Sequence, residues 1–213
     1  MGDTVVKEYM SDTNNAIAKY YAENFKHYGI DPISVGWESK QVQNLRFQIL
    51  LDIIDQGKKD IKINDLGCGY GALYDFIVTQ KIPISMYYGY DICKDMIDKA
   101  REKSNGSRSV FFCKAKTSKV ADYSFISGTF NIKLDTDKDL WTDYIKESLI
   151  SIAKNTRCGL AFNLLSSHVE IQDDKFYYGR ASDFFDFCMK NISDRIVLRH
   201  DYSDIEWSML IYF

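Results

Sequence analysis

Residues 61–73 read IKINDLGCGYGAL. Apolar residues lead to a carboxylate, Asp65, and then to three glycines two apart, Gly67, Gly69 and Gly71. Glycine tolerates positive φ and carries no side chain, so such a loop lets backbone come very close to a ligand. The stretch reads as a short strand over 61–66, a glycine loop, and a helix over about 71–80.

Working outward, strands and helices alternate from residue 61 on. Strands are expected over 84–92, 109–115, 121–128, 159–166, 195–200 and 206–213, and helices over 93–104, 137–155 and 181–191. That alternation is the signature of an α/β doubly wound, Rossmann-like parallel sheet with helices on both faces. The last two strands are joined only by DYSDI, too short for a parallel crossover. The expectation is therefore a seven-stranded sheet, six strands parallel and the last antiparallel. Before residue 61 the period is helical. A helix over 12–28, capped by Asp12 or Thr13, carries Ile17, Tyr20, Tyr21, Phe25 and Tyr28. GIDP at 29–32 breaks it. A second helix over 38–56 has Val42, Leu45, Ile49, Leu50 and Ile53 on one face and Gly57 as its stop. A chain of 213 residues suits one α/β domain: an N-terminal helical cover over 1–58 and a core over 59–213.

Composition narrows the function. The net charge of −3 and the lack of a sustained Lys/Arg stripe argue against nucleic acid as partner. The five cysteines are widely spaced with no C-x-x-C, so neither a zinc site nor a disulfide framework is expected. They read as reduced thiols in a cytoplasm. No signal-like start and no membrane-length apolar run occurs, so no membrane role is expected. Nothing in the sequence sets an oligomeric state.

The ligand of an open α/β sheet lies at the carboxyl ends of its strands. The glycine loop is at that edge. So is Asp91, which ends the second strand twenty residues beyond Gly71. A carboxylate there can accept two hydrogen bonds from a ribose diol, which points to a nucleoside-containing cofactor. Gly67-x-Gly69-x-x-Ala72 fits the loose dinucleotide fingerprint. Asp65-x-Gly67-x-Gly69-x-Gly71 fits the acidic-led loop used for S-adenosylmethionine. Asp65 favours the second, since it attracts an ammonium and repels a pyrophosphate. The helices before the loop and the lack of a second domain favour it too.

NDLGCGYGAL (64–73) followed by YYGYDICKDMIDKAREK (87–103) resembles the first two cofactor motifs of class I S-adenosylmethionine-dependent methyltransferases. The resemblance spans roughly 60–213. It implies S-adenosyl-L-methionine as cofactor, with S-adenosyl-L-homocysteine as product. By this resemblance Asp65 and the loop backbone, Gly67, Cys68, Gly69 and Gly71, hold the methionine portion. Asp91 binds the ribose, Ile92 and Met96 flank the adenine, and Ala115 and Ser127 touch the cofactor from the next two strand ends. The chain departs from the pattern after the third strand. Many members carry an Asp there for the adenine amino group, whereas this chain has Cys113-Lys114-Ala115. The N-P-P-Y or D-P-P-Y tetrapeptide of nucleic-acid amino-methyltransferases is replaced by SGTFN (127–131). The flanks SVGWESKQVQNLRF (34–47) and LRHDY (198–202) resemble a branch of small bacterial methyltransferases. In that frame Arg46 would reach the cofactor carboxylate.

Methyl transfer from a sulfonium is an in-line displacement in which alignment supplies much of the rate. A hydroxyl acceptor also needs a base. Of three histidines, His168 follows the fifth strand, beside the expected substrate side, and is the candidate base. Asn131 follows the fourth strand and is a candidate for orienting the acceptor. The expected activity is methylation of an O or N atom of a small molecule, with a sugar or surface-glycan precursor favoured by the branch resemblance. Two rivals stand beside it: an NAD(P)-dependent oxidoreductase and a module that binds S-adenosylmethionine without turnover.

Overall fold

The computed structural model describes residues 3–104 and 106–213. It contains six α-helices, α1 (Asp3–Tyr28), α2 (Lys40–Leu51), α3 (Ala72–Thr79), α4 (Lys94–Lys103), α5 (Lys138–Ala153) and α6 (Ala181–Asn191), among the described residues. The strands are β1 (Ile61–Leu66), β2 (Ile84–Asp91), β3 (Ser109–Cys113), β4 (Ala121–Ile126), β5 (Thr156–Ser166), β6 (Tyr178–Gly179), β7 (Arg195–Arg199) and β8 (Glu206–Tyr212). They form one sheet in the order β3-β2-β1-β4-β5-β8-β7, with β6 attached to β5. Pairing is parallel from β3 through β5, and β8 runs antiparallel between β5 and β7. The antiparallel last strand is thus as expected, slotted one place in from the sheet edge. The order reverses between β2 and β4 on either side of β1, which opens the crevice at the glycine loop.

Side chains alternate across the sheet, and each face has its own core. On one face Leu160, Phe162 and Leu164 of β5 and Trp207, Met209 and Ile211 of β8 pack with α5 and α6. On the other, Ile61 and Ile63 of β1 and Phe125 of β4 pack with α2, α3 and α4.

The structure departs from expectation at three places. Helix α1 begins nine residues earlier than 12, because no Gly or Pro interrupts residues 3–12. Thr13 is therefore no cap; its hydroxyl donates to the Tyr9 carbonyl one turn back. Helix α2 stops at Leu51, well before Gly57. There Ile53 and Ile54 bond three residues back, to Leu50 and Leu51. That tighter turn buries both isoleucines against the sheet. The eighth strand, β6, comes from KFYYGR, outside the seven expected strands. Here Gly179 pairs with Ser166, and its carbonyl accepts from the Trp207 indole at 3.0 Å.

Candidate active site

The glycine loop has the geometry its sequence demands. Gly67, Gly69 and Gly71 have φ of 78°, 52° and 83°, values costly for any residue with a Cβ. A Cβ on Gly67 would also lie 2.1 Å from the Thr129 hydroxyl oxygen, so that position is closed sterically as well. The N–H groups of Gly67 and Cys68 both donate to the Tyr90 carbonyl at the end of β2, at 2.7 and 3.0 Å. The Asp91 carboxylate completes the join. One oxygen accepts from Gly69 N and the other from Cys93 N, each at 2.8 Å. Each oxygen keeps lone-pair capacity for a further donor.

A cleft with about 940 Å³ of empty space, part of it open to solvent, lies over this edge. Of the residues singled out from the sequence, Asp65, Gly67, Cys68, Gly69, Asp91, Ile92, Met96, Ala115 and Ser127 line it. Asp65 is only 2% exposed and accepts from the Tyr87 hydroxyl. Burial pushes its carboxyl up to about 7, against the opposing pull of that hydrogen bond. Burial also raises Asp91, countered by the N–H groups of Cys93 and Gly69. The Cys68 thiol is pushed well up by burial and by both carboxylates. It is therefore a packed thiol rather than a nucleophile. The Ser127 hydroxyl oxygen is buried beside the cleft with no partner among the described residues.

Four residues are placed elsewhere. Gly71 caps α3, beneath the loop against Phe111. Arg46, expected at a cofactor carboxylate, lies behind the wall. Its guanidinium sits 5.1 Å from the centre of the Trp37 ring, and Nε is 2.7 Å from a Glu206 carboxylate oxygen. Both partners of that ion pair are buried, because a buried guanidinium requires a counter-charge. The other Glu206 oxygen accepts from Asn163 Nδ2 at 3.3 Å, and Asn163 Oδ1 accepts from Gly128 N at 2.7 Å. This chain of contacts anchors the turn after β4, where a Cβ on Gly128 would meet the Trp37 ring at 2.7 Å. Asn131 is buried behind that turn, its Oδ1 without a partner among the described residues. His168, the candidate base, is exposed in the loop after β5 and does not line the cleft.

The rest of the wall comes from the N-terminal helical segment and from α5. Helix α1 lies across the cleft. Thr136 after β4 donates to Thr13 near its N-terminal half at 3.3 Å, and Phe25 stacks on Tyr70 of the glycine loop near its other end. Between these points Asn14, Ile17 and Tyr21 face the cleft. Trp141 and Tyr144 of α5 join them. The helical spacing of Ile17 and Tyr21 marks the face turned to the cleft, whereas the part played by Asn14, Trp141 and Tyr144 had no signal in the sequence.

No family model matches the sequence. The chain is 34% identical over 152 residues to the candidate methyltransferase Rv1506c of Mycobacterium tuberculosis, a match covering 70% of this chain and 91% of that protein. Its fold is similar to that of the magnesium protoporphyrin IX methyltransferase of Synechocystis PCC 6803 with bound S-adenosylhomocysteine. There the TM-score is 0.64 at 14% identity, over 98% of each chain. A similar fold is found in an S-adenosylmethionine-dependent methyltransferase of Leishmania major, with TM-score 0.67 at 12% identity, over 92% of this chain and 82% of that one.

Proposed function

The chain belongs to the class I S-adenosylmethionine-dependent methyltransferases, and from that premise we propose that it methylates an O or N atom of a small molecule in the cleft at the β1–β4 edge. The observation that carries the reading is the pair of carboxylates that border the cleft, Asp65 buried and Asp91 half-buried, both raised by desolvation. Such a site gains from a cationic, diol-bearing ligand and would be penalised by a pyrophosphate. S-adenosylmethionine has an ammonium, a sulfonium and a ribose diol; a nicotinamide dinucleotide has a pyrophosphate. The donor set therefore fits the first cofactor.

In this reading Asp65 pairs with the ammonium, and the loop backbone from Gly67 to Gly69 passes against the methionine portion. Asp91 accepts from the ribose hydroxyls, and Ile92 and Met96 flank the base. Ser127 offers its unpartnered hydroxyl at the end of β4. When bound, the cofactor supplies an electrophilic methyl on a sulfonium. The residues around it then contribute alignment and exclusion of water, with α1 and Trp37 as cover. A sugar or glycan precursor remains the favoured class, on the likeness of the flanking segments and the aromatic walls.

None of the three histidines lines the cleft, which favours an acceptor that needs no histidine base. The same observation supports a second reading, a module that binds the cofactor without turnover. Calorimetric titration with S-adenosylmethionine, S-adenosylhomocysteine and NAD tests the cofactor; micromolar binding of the first two and none of NAD is expected. Mass spectrometry of acceptor panels then separates turnover from binding alone. NAD binding without the other two would overturn the reading.

A further inference from the structure

We propose that Asn14, on α1, reads the amino edge of the cofactor's adenine, doing the work of the acidic residue that the loop after β3 lacks. This assignment rests on the cofactor reading above. The cleft walls divide between the two hydrophobic cores of the sheet. Phe47, Cys68 and Leu73 belong to one. Ile17, Tyr21, Ile92, Phe130, Trp141 and Tyr144 belong to or pack on the other. Asp91 lies at the junction, with Ile92 next in sequence opening the second arm. If Asp91 holds the ribose, the apolar wall that begins at Ile92 receives the base.

An adenine in such an arm brings a 6-amino donor and a neighbouring ring-nitrogen acceptor, and both are costly to bury unpaired. The residues of the loop after β3 that line the cleft, Lys114 and Ala115, offer no acceptor side chain for the amino group. Ala115 has no polar side chain, and the Lys114 ammonium lies over the Phe112 ring, 5.7 Å from its centre. The Cys113 thiol is turned toward the Ile92 carbonyl at 3.7 Å. The polar side chains of the arm come from α1 and α5: Asn14, Tyr21 and Tyr144. Tyr21 and Asp91 line the same cleft, and the Asp91 charge adds to burial in raising the Tyr21 hydroxyl; Tyr21 is accordingly assigned to the ribose.

Asn14 lies two helical turns from Tyr21 on the same face, roughly 10 Å along the axis, about the length of a nucleoside. A carboxamide matches adenine's adjacent donor and acceptor with two hydrogen bonds. The amide is also oriented. The Tyr144 hydroxyl donates to Asn14 Oδ1 at 3.4 Å. That leaves Oδ1 a lone pair for the amino group and leaves Nδ2, which has no partner among the described residues, able to donate to the ring nitrogen.

The test is calorimetric titration of wild type, Asn14→Leu and Asn14→Ser with S-adenosylhomocysteine and with its analogue lacking the 6-amino group. Circular dichroism confirms that each variant folds, and the smaller Ser variant serves if Leu does not. The wild type should lose on the order of tenfold in affinity when the amino group is removed, the usual weight of a buried hydrogen bond. The variants should bind S-adenosylhomocysteine about tenfold more weakly and be indifferent to the amino group. Variants that still discriminate as strongly as wild type would overturn the assignment alone. Wild type that binds neither compound would overturn the cofactor reading and this assignment with it.

Discussion

Asp65→Asn should make the free protein more stable and its cofactor binding weaker. Asp65 is nearly fully buried, and no cation pairs with it among the described residues. Its carboxyl stands at about 7 against the usual 3.8, a rise equivalent to roughly 4 kcal/mol. The raised value means that the folded protein holds this proton in a range where the unfolded chain has lost it. The stabilisation is complete below pH about 4 and is lost as pH rises toward and through about 7. Asn has the same shape and still accepts from the Tyr87 hydroxyl, but never ionises. At pH 8 the variant should therefore gain up to about 4 kcal/mol, or as much as roughly 10 °C in melting temperature for a chain of this size. At pH 5 the difference should shrink to about 1.5 kcal/mol, because the unfolded carboxyl is still mostly ionised there, and it should vanish only below pH about 4. Differential scanning fluorimetry across pH 5–8 reads this directly, and comparison with wild type cancels the same-sign contributions of Asp91 and Glu206. Binding should move the opposite way. Wild-type affinity for S-adenosylhomocysteine should rise from pH 6 to 8 as Asp65 ionises against the ligand's ammonium, and the variant should be weaker and flat. A variant that melts lower than wild type at pH 8, or that keeps the wild-type pH profile of binding, would refute both the raised pKa and the role given to Asp65.

Replacing Asp91 with Ala removes a charged acceptor for two ribose hydroxyls, at about 1.5–3 kcal/mol each; unchanged affinity in a folded variant would take Asp91 out of the site. Glu206→Ala should cost about 3–5 kcal/mol in urea unfolding, because it strands the buried Arg46 guanidinium. The double change Arg46→Leu with Glu206→Leu should recover much of that loss, whereas additive losses would show the pair to be uncoupled. His168→Ala should leave turnover with any acceptor unchanged, since the ring is exposed and off the cleft wall; a fall of tenfold or more in kcat would return it to the catalytic machinery.

What the sequence by itself determined is what local order can carry. The alternation of strands and helices set the sheet, DYSDI forced the last strand antiparallel, and the spacing of Gly67, Gly69, Gly71 and Asp91 brought loop and carboxylate to one edge. Those features depend on period, length and backbone freedom, which neighbouring residues specify. The other half of the site depends on contacts between distant parts of the chain. Asn14 and Tyr144 are 130 positions apart and meet across the cleft. Arg46 lies near the cofactor motifs in any reading of its helix, yet a buried Glu206 on the last strand draws it behind Trp37. The raised carboxyl of Asp65 is decided by desolvation, which no spacing reports. Partner choice for a buried charge, and the price of burying it, belong to the packed structure because both are set by the dielectric and geometry around the group rather than by its neighbours in sequence.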